Sequence, residues 1–142
     1  MPIRKAELKD SQAIRDMLDQ LGYPLTNEFI KGKLMLLLNS SADEIYVYED
    51  NNKVVGFLTL HFTVQLAFEH NFCEIGYFVV DKNVRSKGVG KQLEEMACKV
   101  ALDKDCDRIE VFSLDHRTDA HRFYERQGYS HIQKKFEKIL DK

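Results

Sequence analysis

No apolar run in this sequence exceeds the five residues 34–38, and a membrane-spanning helix needs ~20. A bilayer partner is therefore not expected. The opening Met1-Pro2-Ile3-Arg4-Lys5 passes straight into charged sequence, so no signal-peptide core is expected either. The only prolines are Pro2 and Pro24, and the seven glycines are scattered, with no linker, repeat or low-complexity tract. Cysteine is sparse and odd in number. Cys73, Cys98 and Cys106 lack metal-ligand spacing and read as free thiols of a reducing cytoplasm. Charge of one sign is also missing. Twenty-one basic residues against 23 acidic ones leave −2. That excludes a bulk polyanion binder, and no nucleic-acid partner is expected, although a local basic loop stays open.

What remains is an ordinary globular composition, 44% hydrophobic and 31% charged, which argues against disorder. At 142 residues the chain is expected to form a single domain over 1–142. Ile14, Met17, Leu18 and Leu21 recur at helical spacing behind Asp10, read as an N-cap, and before Gly22 and Pro24. Thr26 or Asn27 is expected to cap a second helix, with Ile30, Leu34, Leu37 and Leu38 on one face. Met35 and Leu36 fall off that face and are open to three uses: lining an acceptor cleft, a homodimer contact, or plain core. Residues 45–49 and 54–61 flank an Asn51-Asn52 turn and read as a β-hairpin, and 72–80 as a third strand containing Gly76. A helix over 88–104, a strand over 108–114 and a helix over 119–126 closed by Gly128 follow. The tail over 132–140 fits helix and strand patterns about equally. Strands interleaved with helices imply an α/β (α+β) fold with a mixed central sheet flanked by helices.

The most informative segment is 79–91, where the apolar Val79 and Val80 lead into a basic, glycine-containing loop that opens an amphipathic helix. The N–H groups at such a helix start suit a phosphate or pyrophosphate, and glycine lets the backbone approach closely. Arg85, Lys87 and Lys91 add positive charge. A Walker A loop would need glycine at position 85 and Ser or Thr at 92; Arg85 and Gln92 stand there instead. A Rossmann fingerprint would need a small residue where Leu93 stands.

Arg85-Ser86-Lys87-Gly88-Val89-Gly90 matches R-x-x-G-x-G, and Ala120 to Tyr129 matches A-x-x-F-Y-x-x-x-G-F/Y through Phe123, Tyr124 and Gly128. With both motifs in this order, the chain resembles the GNAT superfamily of acetyl-CoA-dependent N-acetyltransferases over nearly its whole length. The resemblance implies a GNAT acyl-CoA N-acyltransferase fold whose last strand is the tail. It implies acetyl-CoA as cosubstrate, bound through Val79, Val80, Arg85, Ser86, Lys87, Gly88, Val89, Gly90 and Lys91. The loop would hold the pyrophosphate. The strand ending at Val79 and Val80 would pair with the pantetheine arm in a gap where it splays from the next strand. One departure is Arg117, standing where family members often carry a cofactor-contacting asparagine.

Acetyl transfer to an amine needs a proton acceptor, and an alkylammonium ordinarily titrates near ~10.4. Glu74 is the leading candidate, with an ordered water relay as the alternative. Strict alternation would put Glu74, Gly76 and Phe78 on one face. His61, His70, His116 and His121 are weaker candidates, and no metal site is expected, since none has a metal-type partner in spacing. Tyr124 is implied as hydrogen-bond donor or general acid to the departing thiolate. The expected reaction is N-acetylation of a primary amine on a small molecule or peptide, by direct attack in a ternary complex. The alternative is a non-catalytic acyl-CoA-binding sensor or partner-binding module of the same fold.

Overall fold

The computed structural model describes residues 2–84, 87–112, 118–132 and 136–142. The chain divides into two compact units, Met1–Phe112 and Ser113–Lys142. The first unit holds a five-stranded sheet in the order β1 (Ile3–Lys5), β2 (Asp43–Asp50), β3 (Lys53–Thr63), β4 (Asn71–Val80), β5 (Cys106–Val111). Strands β1 to β4 are antiparallel to their neighbours, and β5 is parallel to β4. A parallel pair needs a crossover, which α3 (Val89–Asp103) provides. Helices α1 (Ser11–Leu21) and α2 (Ile30–Leu38) fill the connection from β1 to β2. The mixed sheet flanked by helices is the architecture expected from the sequence.

Each face of the sheet carries its own core. Tyr46, Leu58, Leu60, Cys73 and Ile75 pack with Leu93, Ala97 and Val100 of α3. The alternate residues Ile45, Val47, Phe57 and Val79 pack with Ile14, Met17 and Leu18 of α1 and Leu34 of α2. Period-two strands sandwiched between helices produce this division directly. Asn51 and Asn52 both adopt left-handed backbone, with φ of 52° and 63°, as a two-residue turn of the twist-compatible type requires. Gly22 closes α1 at φ 104°, with its N–H on Asp19 and the Tyr23 N–H on Leu18.

Four expectations of the fold need correction. Neither Thr26 nor Asn27 caps α2: the chain first makes a turn in which the Thr26 carbonyl accepts the Phe29 and Ile30 N–H groups, so the N-cap position falls to Phe29, with no side-chain cap. Asp10 makes no side-chain cap on α1. Its carboxylate is buried, grips both terminal nitrogens of Arg4 at 2.9 Å and accepts the Glu7 N–H at 2.7 Å. Burial alone would raise that carboxyl, but the Arg4 guanidinium and the Glu7 N–H hold it below the usual range. Leu38 leaves the α2 core face and is exposed, because α2 ends there and only Leu34 is fully buried. The tail forms no strand over 136–142, while 133–135 lie outside the described residues. Phe136, Ile139 and Leu140 are exposed, and a strand needs a ladder partner that this unit does not offer among its described residues. The second unit is built on α4 (Thr118–Arg126). Gly128 stands at φ 94°, and the Gly128 and Tyr129 N–H groups bond back to Glu125 and Tyr124.

Candidate active site

Strand β4 changes character halfway. Residues 72–75 pair with β3 on one side, and 71–75 with β5 on the other, ending at Ile75↔Val111. From Gly76 to Val80 the strand keeps only β3, and no β5 partner faces it among the described residues. A bulge marks the change. Leu58 pairs Phe78 and Leu60 pairs Ile75, so Gly76 and Tyr77 together oppose Thr59. Thr59 fills the gap with its side chain: Oγ1 accepts the Tyr77 N–H at 2.9 Å. A Cβ on Gly76 would stand 2.8 Å from that oxygen, so only glycine fits without a shift. Beyond the bulge the N–H and C=O groups of the open edge can pair with an extended ligand.

The bulge also overturns the strict alternation expected for this strand. Phe78 and Val80 join Ile75 and Cys73 on the α3 side, while Val79 lies under α1 and α2. Glu74 therefore shares its face with Val79 rather than Phe78. Buried Val79 and part-buried Val80 can offer a ligand little but backbone.

The strand then turns through a 3-10 segment over Lys82–Val84. Asp81 anchors it, accepting the Asn83 N–H at 2.9 Å. Of the loop residues singled out, Arg85 and Ser86 lie outside the described residues, as does Arg117. Gly88 precedes α3 in left-handed backbone, φ 79°. The first bond of the helix runs from the Gln92 N–H to the Gly88 carbonyl, so the N–H groups of residues 89–91 lie ahead of the ladder. Val89 begins the helix and packs into the core, Gly90 follows it in the first turn, and Lys87 and Lys91 are exposed. These residues fit an anionic group at the α3 start, and the open edge of residues 76–80 fits an extended arm leading from it.

On the α1/α2 side a polar row crosses the sheet. Asp43 pairs with His61, His61 with Glu74, and Glu74 with Glu110, each on the adjacent strand. Glu74 is exposed, one pair short of the open segment. His61 Nδ1 lies 2.8 Å from Asp43 Oδ1, and Asp43 Oδ2 accepts the Ser40 hydroxyl at 2.7 Å. Tyr77, at the bulge, meets Tyr23 edge to face at 5.7 Å. Tyr124 lies in α4, half-buried, its ring 5.5 Å from Phe123 and 5.4 Å from Tyr129. The remaining histidines divide plainly. His70 pairs with Asp105 at 2.8 Å, His121 meets the His131 ring at 5.4 Å, and His116 is outside the described residues.

The thiols are poor nucleophiles. Burial pushes Cys73 up to about 12, and burial with the Glu94 carboxylate does the same for Cys98; Cys106 is raised by burial too. Sequence reasoning missed Ser40, Asp43 and Thr59 and ranked His61 low. Their only signal is cross-strand register, which the bulges conceal.

A family model described as Acetyltransferase (GNAT) family matches residues 12–129. Among curated relatives, the aminoalkylphosphonate N-acetyltransferase of Salmonella typhimurium is 34% identical over 90 residues, covering 63% of this chain and 58% of that protein. An uncharacterized N-acetyltransferase of Chlorobaculum tepidum is 27% identical over 135 residues, 94% of this chain and 78% of that one. The chain spans little more than half the length of two of the curated relatives it matches, 58% and 53%. A transcriptional regulator from Bacillus halodurans superposes with a TM-score of 0.88 at 22% identity, covering 97% of this chain and 98% of the other. A GNAT family acetyltransferase of Staphylococcus aureus does so at 0.82 and 23%, covering 99% and 100%.

Proposed function

The chain belongs to the GNAT family of N-acetyltransferases, and from that premise we propose that it moves an acetyl group from acetyl-CoA to a primary amine of a small molecule or peptide. The family implies acetyl-CoA as the donor. The observation that carries the site assignment is the half-open β4: among the described residues 76–80 have no β5 partner, and they lead to the Gly88-started α3. The donor supplies an activated acetyl thioester. The β4 edge at Val79 and Val80 pairs with its arm, and the 85–91 loop, with Arg85, Ser86, Lys87, Gly88, Val89, Gly90 and Lys91, holds its pyrophosphate. Arg117 adds a cofactor contact. Tyr124 donates to the departing thiolate, and Glu74 faces the incoming amine.

Direct attack in a ternary complex is supported by the raised thiols, which disfavour a cysteine acyl-enzyme. The Salmonella relative's name supports a small amine as acceptor. One domain over 1–142 is supported by the family match, which runs through both units. No described helix is long and apolar enough to cross a membrane. The three free thiols support a cytoplasmic site of action.

Thermal shift tests the donor site. Coenzyme A at 100 times its Kd should stabilise the fold by about 2.7 kcal/mol, and desalted ATP should add less. Thiol release from acetyl-CoA with n-butylamine, aminoethylphosphonate and a lysyl peptide then tests turnover. Greater stabilisation by ATP, or no thiol release with any amine, contradicts the reading.

A further inference from the structure

We infer that His61, oriented by Asp43 and Ser40, accepts the proton of the incoming ammonium, with Glu74 beside it drawing the cation in. This rests on the N-acetyltransferase reading and assigns its proton acceptor. Asp43 Oδ1 can only accept a hydrogen bond, so the His61 nitrogen 2.8 Å away, Nδ1, carries the hydrogen. The lone pair of the neutral ring is then on Nε2, for which no hydrogen bond appears among the described residues. Asp43 is itself fixed: its side chain is 15% exposed, and its second oxygen takes the Ser40 hydroxyl at 2.7 Å. His61 is 48% exposed, so a proton it takes can pass to water. A carboxylate that holds one ring nitrogen sets the tautomer and stabilises the imidazolium that forms.

Position favours this group. His61 stands directly opposite Glu74 on the antiparallel β3–β4 pair, which places the two Cβ atoms about 4.5–5.5 Å apart. That pair is the last but one before the bulge and the open edge. Chemistry favours it too, because imidazoles as a class are stronger bases than carboxylates and operate nearer neutral pH. The proton balance is simple. An N–H bond of the ammonium breaks, an Nε2–H bond forms, and the amine keeps the electron pair with which it attacks. The charge moves to an imidazolium flanked by Asp43 on β2 and Glu74 on β4, with Glu110 beyond on β5. Arg108 on β5 is engaged by Asp107 and stacks on Phe72. Among the described residues no hydrogen bond or ion pair joins His61 to α1 or α2. No metal-ligating group of three is formed by the row.

The test compares His61→Gln, Asp43→Asn and Glu74→Gln, assayed with whichever amine of the panel the wild type acetylates. For His61→Gln, kcat/KM at pH 7 should fall ~10²-fold and recover with rising pH as free amine accumulates. For Asp43→Asn the fall should be about tenfold, and Glu74→Gln should mainly raise KM. Nitrogen NMR of the ring gives a readout independent of turnover. The neutral His61 should carry its hydrogen on Nδ1 in the wild type and lose that preference in Asp43→Asn. A wild type that turns over while His61→Gln keeps its rate and pH profile overturns the inference alone, as does a neutral ring protonated on Nε2. A wild type that binds coenzyme A but acetylates nothing overturns the function reading, and this assignment with it.

Discussion

The two halves of β4 are alike in composition and opposite in use. Residues 71–75 include Phe72, Cys73 and Ile75; residues 76–80 include Tyr77, Phe78, Val79 and Val80. The first half is laddered on both edges. Its Cys73 and Ile75 side chains are sealed against α3, and the Phe72 ring lies 4.1 Å from the Arg108 guanidinium. Among the described residues the second half has only its β3 neighbour and presents an edge. Edges of this kind are usually blunted or covered because they recruit other strands. Here the edge runs on to the α3 start, so ladder count rather than residue type separates scaffold from binding surface. The proton-handling row stands on the rigid half, one pair from the boundary.

Adjacent substitutions across that boundary should break the fold and the function separately. Ile75 is 2% exposed, and Ile75→Ala should cost about 2–5 kcal/mol, leaving KM for acetyl-CoA near wild type in the protein that stays folded. Gly76→Val should cost less, about 1–3 kcal/mol, because the clash is with one hydroxyl 2.8 Å away rather than a lost core contact. Its KM for acetyl-CoA should nevertheless rise tenfold or more, since the bulge can no longer close on Thr59. Urea unfolding with steady-state kinetics on both variants checks the split. Equal KM values in the two would dissolve the distinction between the halves.

Most of the fold was legible because periodicity and turn chemistry are local. The spacing of Ile14, Met17 and Leu18, the Asn51-Asn52 turn and the closing Gly128 each set an element within a residue or two of its place. The site was legible only where it is local too. The 79–91 segment announces a strand, a basic loop and a helix start; the Asp43–His61–Glu74 row does not announce itself. Register hides it. Asp50↔Lys53 and Glu49↔Val54 belong to one register and Tyr48↔Gly56 to another, with a bulge between them. Counted from the turn without that bulge, Asp43 would meet Leu60, on the other face, and the dyad would not exist. The second bulge, at Gly76, likewise moves Phe78 across the sheet. Asp10 misled for a different reason. A cap is a local reading, and Arg4, six residues away, competes for the same carboxylate with a bidentate charged grip.

If the open half holds the donor's arm, something outside β4 must meet the departing sulfur. Tyr124 is the candidate, and Tyr124→Phe keeps the ring contacts to Phe123 and Tyr129 while removing the hydroxyl. The expected loss is about tenfold in kcat with KM for acetyl-CoA little changed, the pattern of a contact made in the transition state. A thiolate leaves tolerably well unaided, so the loss should fall below the ~10²-fold at which acid–base groups usually start. Single-turnover rates, which isolate chemistry from release, check it. An unchanged rate would assign Tyr124 to packing.

The smallest effect should come from the residue that closes the bulge. Thr59 Oγ1 accepts the Tyr77 N–H at 2.9 Å, the bond that replaces a missing rung of the ladder. Thr59→Ala removes the acceptor without adding bulk. Tyr77 is half-exposed, so water can take over its N–H and the stability cost should stay near ~1 kcal/mol. The functional cost should be a few-fold rise in KM for acetyl-CoA, because a water-bridged bulge holds the start of the open edge less firmly. Thr59→Ser keeps the hydroxyl and should restore the wild-type KM. Should Thr59→Ser and Thr59→Ala behave alike, the methyl group rather than the hydroxyl shapes the boundary, and the bulge is held by packing against its neighbours.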